Sequence, residues 1–382
     1  MIQLVHFSND LGPSVTEDRA TTSDDAYGDA AVVGVWRSHD PSLHEQAVKP
    51  WELLTDLPVR APFLHEMRYL SAPSFAVYEE HYACSVRLRG QSPQDLIALA
   101  VPIRLPPTTT CWKNPWPAQQ MPATQGGAVD VLFGSGQKHL IVLVDSKLAR
   151  RELGEERTQT LERLCRSRWL PSTERRVAQL RDFLLGLIET ATASPRLLKN
   201  PKTARAIEAN LVRNLAAAVC LPAADPATQR ANSARIGRER QIARVLEFLR
   251  AADPVNLSIP QLCEATGVEQ RSLEYAFRET FDLTPLGFLK LRRLHSARHR
   301  LMLADPAAMA VSDVAYQEGF YHLGRFASAY RSTFGEYPSA TLQQPCPEEL
   351  KTVTVARPLR TTRRTAQSER HNPRAASDRD LP

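Results

Sequence analysis

Two short stretches near the C-terminal end carry polar side chains in a pattern that could read a nucleic acid. Arg271, Glu274 and Tyr275 lie off the apolar stripe of one helical segment, and His322, Arg325 and Ser328 lie off the stripe of another. Side chains of these types on an exposed helix face can donate to and accept from base edges or phosphates in a major groove. No comparable constellation for catalysis stands out. There is no G-x-S-x-G elbow, no phosphate-binding G-x-x-x-x-G-K and no G-x-G-x-x-G. His39, His44, His65, His81 and His139 show no H-x-H spacing, so the sequence gives no metal site. The six cysteines (Cys84, Cys111, Cys165, Cys220, Cys263 and Cys346) contain no C-x-x-C pair, which argues against both a zinc site and a disulfide framework. The expectation is a protein without catalytic residues, metal or cofactor.

The two stretches belong to an internal repeat. LCEATGVEQRSLEYAFRETFDLTP (262–285) aligns with VAYQEGFYHLGRFASAYRSTFGEYP (314–338). Gly267 matches Gly319 and Val268 matches Phe320. After one extra residue in the second copy, Leu273 matches Phe326, Phe277 matches Tyr330, Phe281 matches Phe334 and Pro285 matches Pro338. Each copy has the parts of a helix-turn-helix. A first helix begins after Ser258 or Ser312, a glycine supplies the sharp turn, and a second helix locks inward through aromatic and aliphatic residues four apart. PLGFLKLRRLHSARHRLM (285–302) joins the copies. Its Leu291, Leu294, Ala297 and Leu301 recur at helical spacing, while Lys290, Arg292, Arg293, Arg298 and Arg300 occupy the rest of its surface. Those charges read as a solvated face, some of them meeting phosphates.

Residues 238–342 resemble the DNA-binding domain of the AraC/XylS family. The second copy carries the hallmark Gly319-Phe320, then Phe326, Tyr330-Arg331, Phe334-Gly335 and Pro338; the first carries Leu273, Phe277 and Pro285, then Arg293-Leu294 and Ala297-Arg298. The resemblance implies base contacts from Arg271, Glu274 and Tyr275 in the first recognition helix, and from Arg325, with His322 and Ser328 nearby, in the second. Two positions depart from the family pattern. Glu269 replaces the usual small cap of the first recognition helix, and Asp282 replaces the glycine before Pro285. Aspartate tolerates the left-handed conformation better than most residues, so the turn should survive.

Upstream, composition divides the chain. Residues 1–60, rich in Ser, Asp and Thr, read as a lead that is partly loop. Residues 61–220 read as a regulatory or dimerising domain. FAVYEEHYACSVRLRG (75–90) has strand character, and AVDVLF (128–133) and HLIVLV (139–144) flank Gly134-Ser135-Gly136-Gln137 as a hairpin. The prolines from Pro102 to Pro122 confine that stretch to loop or edge strand. Two helical stripes follow, Leu180, Phe183, Leu184, Leu187 and Ile188, then Ile207, Leu211, Leu215 and Val219, with Pro195 and Pro201 between them. This helical hairpin either packs on the β-rich part or meets a twin in a homodimer. Residues 221–237 have linker composition, and 343–382 form a basic, proline-punctuated tail that buries too little apolar surface to order itself.

The fold expected is α+β overall: a β-rich N-terminal domain with a helical hairpin, then an all-α C-terminal domain with two helix-turn-helix units. By resemblance, the N-terminal part is cupin-like. A net charge of +6 suits a nucleic-acid partner, and no apolar run is long enough to span a bilayer. The expected partners are double-stranded DNA and a second copy of the chain; a small-molecule effector and RNA polymerase are compatible with the resemblance. The expected setting is the cytoplasm. An architectural DNA-binding protein, or a DNA-binding domain fused to an enzymatic cupin-like domain, is the competing reading.

Overall fold

The computed structural model describes residues 31–59, 61–219, 241–250 and 257–344. The expected linker and nearly all of the basic tail lie outside the described residues, as does the first half of the N-terminal lead. The second half of that lead is not loop: it supplies β1 (Val32–Ser38), α1 (Pro41–Ala47) and β2 (Glu52–Asp56). The β-rich domain continues with β3 (His65–Ser71), β4 (Phe75–Tyr82), β5 (Val86–Gln91), β6 (Leu96–Arg104), β7 (Thr110–Cys111), β8 (Asn114–Pro115), β9 (Gln120–Thr124), β10 (Ala128–Phe133) and β11 (Gln137–Asp145). Helices α2 (Ser146–Leu153) and α3 (Glu155–Arg166), strand β12 (Trp169–Pro171), and helices α4 (Glu174–Ala193) and α5 (Pro201–Ala218) complete it.

The strands form two antiparallel sheets, ordered β1-β3-β4-β11-β6-β9-β12 and β2-β5-β10-β7-β8. Alternation along the strands gives the larger sheet two apolar faces. On β6, Ile97, Leu99 and Val101 face α2–α5, whereas Leu96, Ala98 and Ala100 face the smaller sheet. The layers are therefore helices, sheet, sheet, as the expected β-rich domain with a helical hairpin requires.

Two local expectations change. β10 and β11 do not form a hairpin: β10 pairs with β5 and β7, while β11 pairs with β4 and β6. The glycine-rich turn instead carries the chain from one sheet to the other, because each strand buries its apolar face against a different neighbour. The 75–90 stretch splits the same way, into β4 and β5 on opposite sheets. Pro102 stands inside a central strand, opposite His139, where the ladder shifts register between Lys138 and His139. On its other side β6 meets β9 only at Ala98 and Leu99, so no donor is demanded of the proline.

The hairpin of α4 and α5 forms where the two stripes place it, with Asn200 capping α5 through Lys202 N at 2.9 Å and a 3-10 turn, Pro195–Lys199, between the helices. Both stripes point into the chain's own core. Leu180, Leu184, Ile188, Leu211 and Leu215 pack with Val77, Ile97 and Val142 of the larger sheet. Of the two alternatives, the buried residues of both stripes take the first and pack on the β-rich part, while Phe183, Leu187 and Ile207 stay partly exposed.

The C-terminal domain is all-α. Helical residues 241–250 (α6) precede α7 (Ile259–Thr266), α8 (Gln270–Phe281), α9 (Pro285–Leu303), α10 (Val311–Gln317), α11 (Leu323–Phe334) and α12 (Pro338–Gln343). One apolar cluster gathers α6–α8 and the start of α9; another gathers the rest of α9 with α10–α12. Helix α9 is shared by both.

The inward stripes make a direct prediction. Leu184→Lys combined with Leu211→Lys places two ammonium groups at fully buried positions. The pair should destabilise the N-terminal domain by roughly 4 kcal/mol or more, and should not release a soluble monomer. Circular dichroism with thermal unfolding, beside sedimentation velocity, checks this.

Candidate nucleic-acid interface

In the first unit, Ser258 caps α7 with a reciprocal pair: its hydroxyl accepts from Gln261 N at 3.4 Å, and Gln261 Oε1 accepts from Ser258 N at 3.0 Å. Gly267 ends α7 in the left-handed conformation, φ 66°. In the second unit α10 starts two residues earlier than the serine pattern suggests, with Ala310 as its cap residue. There Asp313 accepts from Ala310 N at 3.1 Å, and Gly319 makes the corresponding turn at φ 74°.

The recognition helices lock inward as the repeat demands. Phe277, Phe281 and Phe288 stack in the first unit, with centroids 4.8–5.6 Å apart. Phe320, Phe326, Tyr330 and Phe334 do so in the second, at 4.6–5.6 Å. That inward lock sets which residues remain outside. Arg271 and Tyr275 are exposed on α8, and Glu274 is half-buried and accepts from Gln270 Nε2 at 3.0 Å. On the second unit His322, Arg325 and Ser328 are all exposed. His322 is the cap residue of α11 rather than part of it, and the Ser328 hydroxyl donates to Gly324 O at 2.9 Å. Arg325, in the first turn of α11, is exposed beside the fully buried Phe326. Tyr321 and Leu323 are also exposed at the start of α11. Sequence reasoning passed over them because aromatic and aliphatic residues beside a turn look like core.

The arginines of α9 behave differently from the solvated face expected. Arg298 is buried and donates to Glu336 Oε1 at 2.6 Å and to Asp40 Oδ2 at 2.7 Å. Arg292 donates to Leu249 O at 2.8 Å, and Arg300 to Glu318 Oε1 at 2.6 Å. These cations bind the protein to itself, and two of their partners, Asp40 and Glu336, stand on opposite domains. Lys290 remains exposed.

Beside Arg298, His295 lies buried between the domains, its Nδ1 2.8 Å from Glu45 Oε1 and its Nε2 3.5 Å from Asp56 Oδ1. Burial alone would lower its pKa, but Glu45 and Asp56 outweigh it and push it up to about 10. At the other end of the interface Asp282 closes α8 in the left-handed conformation, φ 56°, so the turn is kept without the usual glycine. Its carboxylate receives Arg87 Nη2 at 2.7 Å and Lys113 Nζ at 2.5 Å, both from the β-rich domain. Burial opposes the charge there, but Lys113 and Arg87 prevail and hold the carboxyl below the usual carboxylate range.

Residues 262–344 match the helix-turn-helix domain family. Curated relatives match the same region. The XylDLEGF operon transcriptional activator of Pseudomonas putida is 39% identical over 109 residues, which is 28% of this chain and 33% of that one. This C-terminal region is a double helix-turn-helix domain of the AraC/XylS type. The probable thc operon regulatory protein of Rhodococcus erythropolis is 39% identical over 98 residues, covering 26% of this chain and 30% of its own. The chain thus spans about a third of the length of these relatives. Among solved structures, the AraC-like transcriptional activator CuxR is 13% identical over 70% of this chain and 95% of that one, with a TM-score of 0.37. Wild-type ToxT of Vibrio cholerae, with an unsaturated fatty acid bound, is 13% identical over the same shares, with a TM-score of 0.35. Among the described residues no helix is long and apolar enough to cross a membrane.

The interdomain ion pairs carry a pH signature. The His295 pKa rises from 6.5 to about 10 on folding, so its contribution is complete below about pH 6.5 and is lost as pH rises through about 10. Urea unfolding should therefore show stability falling between pH 7 and 10, with a shallower fall in His295→Gln. His295→Leu removes the buried cation that Glu45 and Asp56 share, leaving Asp56 its pair with Arg89 and Glu45 the Thr55 N–H, and should cost roughly 3–5 kcal/mol at pH 7. Unchanged unfolding in both variants would show the contact to be dispensable.

Proposed function

We propose that the whole chain is a sequence-specific DNA-binding transcriptional regulator, in which the two units of the AraC/XylS-type domain read successive major-groove segments of double-stranded DNA. The observation that carries this is the outward presentation of Arg271, Tyr275 and Arg325 on two recognition helices locked to one shared helix, α9. A phosphate-only architectural binder needs no such pair of fixed faces. Its setting in this reading is the cytoplasm, and its N-terminal domain senses rather than catalyses.

Effector response belongs to the same reading. A cleft of about 490 Å³ lies between the domains, lined by Lys49, Glu52 and Leu54 on one side and Arg250, Phe288 and Arg292 on the other. That volume falls within the range of small-molecule sites, which favour domain interfaces. The cavity inside the β-rich domain, at about 70 Å³, is far smaller. A ligand in the cleft touches α9 and so reaches both readers.

Arg325 tests the readout. As a bidentate partner of guanine, its loss in Arg325→Ala should cost roughly 1–3 kcal/mol on the specific site and relax preference at one or two base positions. Non-specific binding should fall only slightly, since one positive charge is lost. The thermal midpoint should hardly move, because the side chain is exposed. Titrations against the operator, its single-base variants and random duplex at one salt concentration decide it. An equal drop on all three makes Arg325 a phosphate contact.

A further inference from the structure

The histidines that show no motif in the sequence converge in the fold. β3, β4 and β11 are neighbours in the larger sheet, with His65 paired to Tyr82 and His139 paired to Glu80 across the ladders. Helix α1 brings in His44, whose ring centroid lies 4.5 Å from that of His65. His44, His65 and His139 have no exposed surface, and Glu80 is 4% exposed. His65 Nε2 stands 3.7 Å from Glu80 Oε1, and His139 Nε2 stands 3.2 Å from Glu80 Oε2.

We propose that His44, His65 and Glu80, with His139 beside them, form a binding site for one divalent first-row transition-metal ion inside the β-rich domain. Three observations meet there. One ligand atom from each of His44, His65 and Glu80 lies within 4.8 Å of the others. Tetrahedral N and O ligands at about 2.1 Å from an ion sit roughly 3.4 Å apart, so side-chain rotations of about an ångström close the set. Second, Nδ1 of His65 and Nδ1 of His139 are buried without a hydrogen-bond partner among the described residues, and the Nε2 atoms of both rings meet only the one carboxylate of Glu80. Two buried nitrogens without a partner and two sharing one carboxylate are costly for a structure held by hydrogen bonds alone, and coordination to an ion would engage these rings. Third, the supporting shell is in place. Thr55 Oγ1 is 2.9 Å from His44 Nδ1, which fixes the ring and leaves Nε2 turned toward the cluster. The Tyr82 hydroxyl lies 2.8 Å from that Nε2 and 3.4 Å from Glu80 Oε2, so it can keep Glu80 in position when the imidazole turns to an ion.

The donor set selects the class of ion. Imidazole nitrogens with a single carboxylate suit zinc, iron, nickel or cobalt, whereas magnesium and calcium prefer all-oxygen shells. The cavity of about 70 Å³ is lined by His44, Glu80, Tyr82 and His139 on this side and by Trp116 and Phe133 on the other. It has room for a few waters or a small anion at the open position of such an ion. Chain spacing concealed the site because its members come from α1 and three strands, 15 to 59 residues apart from their neighbours in sequence.

The full chain is stripped with a chelator, dialysed, and titrated separately with Co²⁺ and Zn²⁺. The expected result is one ion per chain, a visible Co²⁺ ligand-field spectrum, and a thermal midpoint raised by Zn²⁺. His65→Ala and Glu80→Gln should each weaken binding at least about a hundredfold, while His81→Ala, which removes an imidazole paired with Glu66 outside the cluster, should not change it. X-ray absorption of the zinc-loaded unaltered chain keeps the test decisive where a variant fails to fold, and imidazole and carboxylate scattering without sulfur is expected. Absence of stoichiometric binding, a sulfur-containing shell, or binding that persists in both His65→Ala and Glu80→Gln overturns the proposal.

Discussion

A cation buried between two domains must be met by carboxylates from both sides or from one side acting in concert, and α9 carries two such cations one turn apart. His295 faces Glu45 and Asp56, and Arg298 faces Asp40 and Glu336. Removing either partner leaves an uncompensated charge out of water, which is far more costly than losing a surface pair. The orientation of α9 on the β-rich domain is held by this requirement. Because both helix-turn-helix units pack on α9, their positions follow from it. Phe334 joins the same arrangement, edge-on to His295 at 5.0 Å and beneath the Arg298 guanidinium at 4.9 Å. The second helix-turn-helix unit is therefore packed against the very side chains that dock the domains.

Helix α1 is the counterpart on the other domain. In seven residues it presents Glu45 to α9, and its cap residue Asp40 presents a second carboxylate, while His44 turns into the β-rich interior. The interior of the β-rich domain and the helix-turn-helix units are thus separated by one short helix. Coupling through so small an element needs only a slight rotation to change the geometry of two buried ion pairs.

The two copies of the repeat differ where this docking requires it. Gly335 ends α11 in the left-handed conformation at no steric cost, whereas Asp282 does so at φ 56° with a side chain attached. That side chain holds Arg87 and Lys113, so the departure from glycine ties the first unit to the β-rich domain. Arg87 also pairs with the buried Asp130, which anchors the contact in the smaller sheet. The first unit is thus tied to the β-rich domain through Asp282 and Arg278 as well as through α9.

The sequence by itself determined the local elements: the repeat, its inward aromatic residues, the left-handed turns at Gly267, Gly319 and Asp282, and the α4–α5 hairpin all follow from periodicity and turn chemistry acting within some twenty residues. It also left Arg271, Tyr275 and Arg325 outside, because a helix with one apolar stripe has only one other face to offer. What only the tertiary structure decided is every relation that depends on which surfaces meet. The hairpin stripes turned to the sheet because the larger sheet has a second apolar face to cover. β10 and β11 parted to separate sheets, and Arg298 of α9 turned inward because Asp40 at the start of α1 and Glu336 of the second unit stand opposite it. His44, His65, Glu80 and His139 came together for the same reason: cross-strand register and sheet order place residues side by side without leaving any periodicity in the chain.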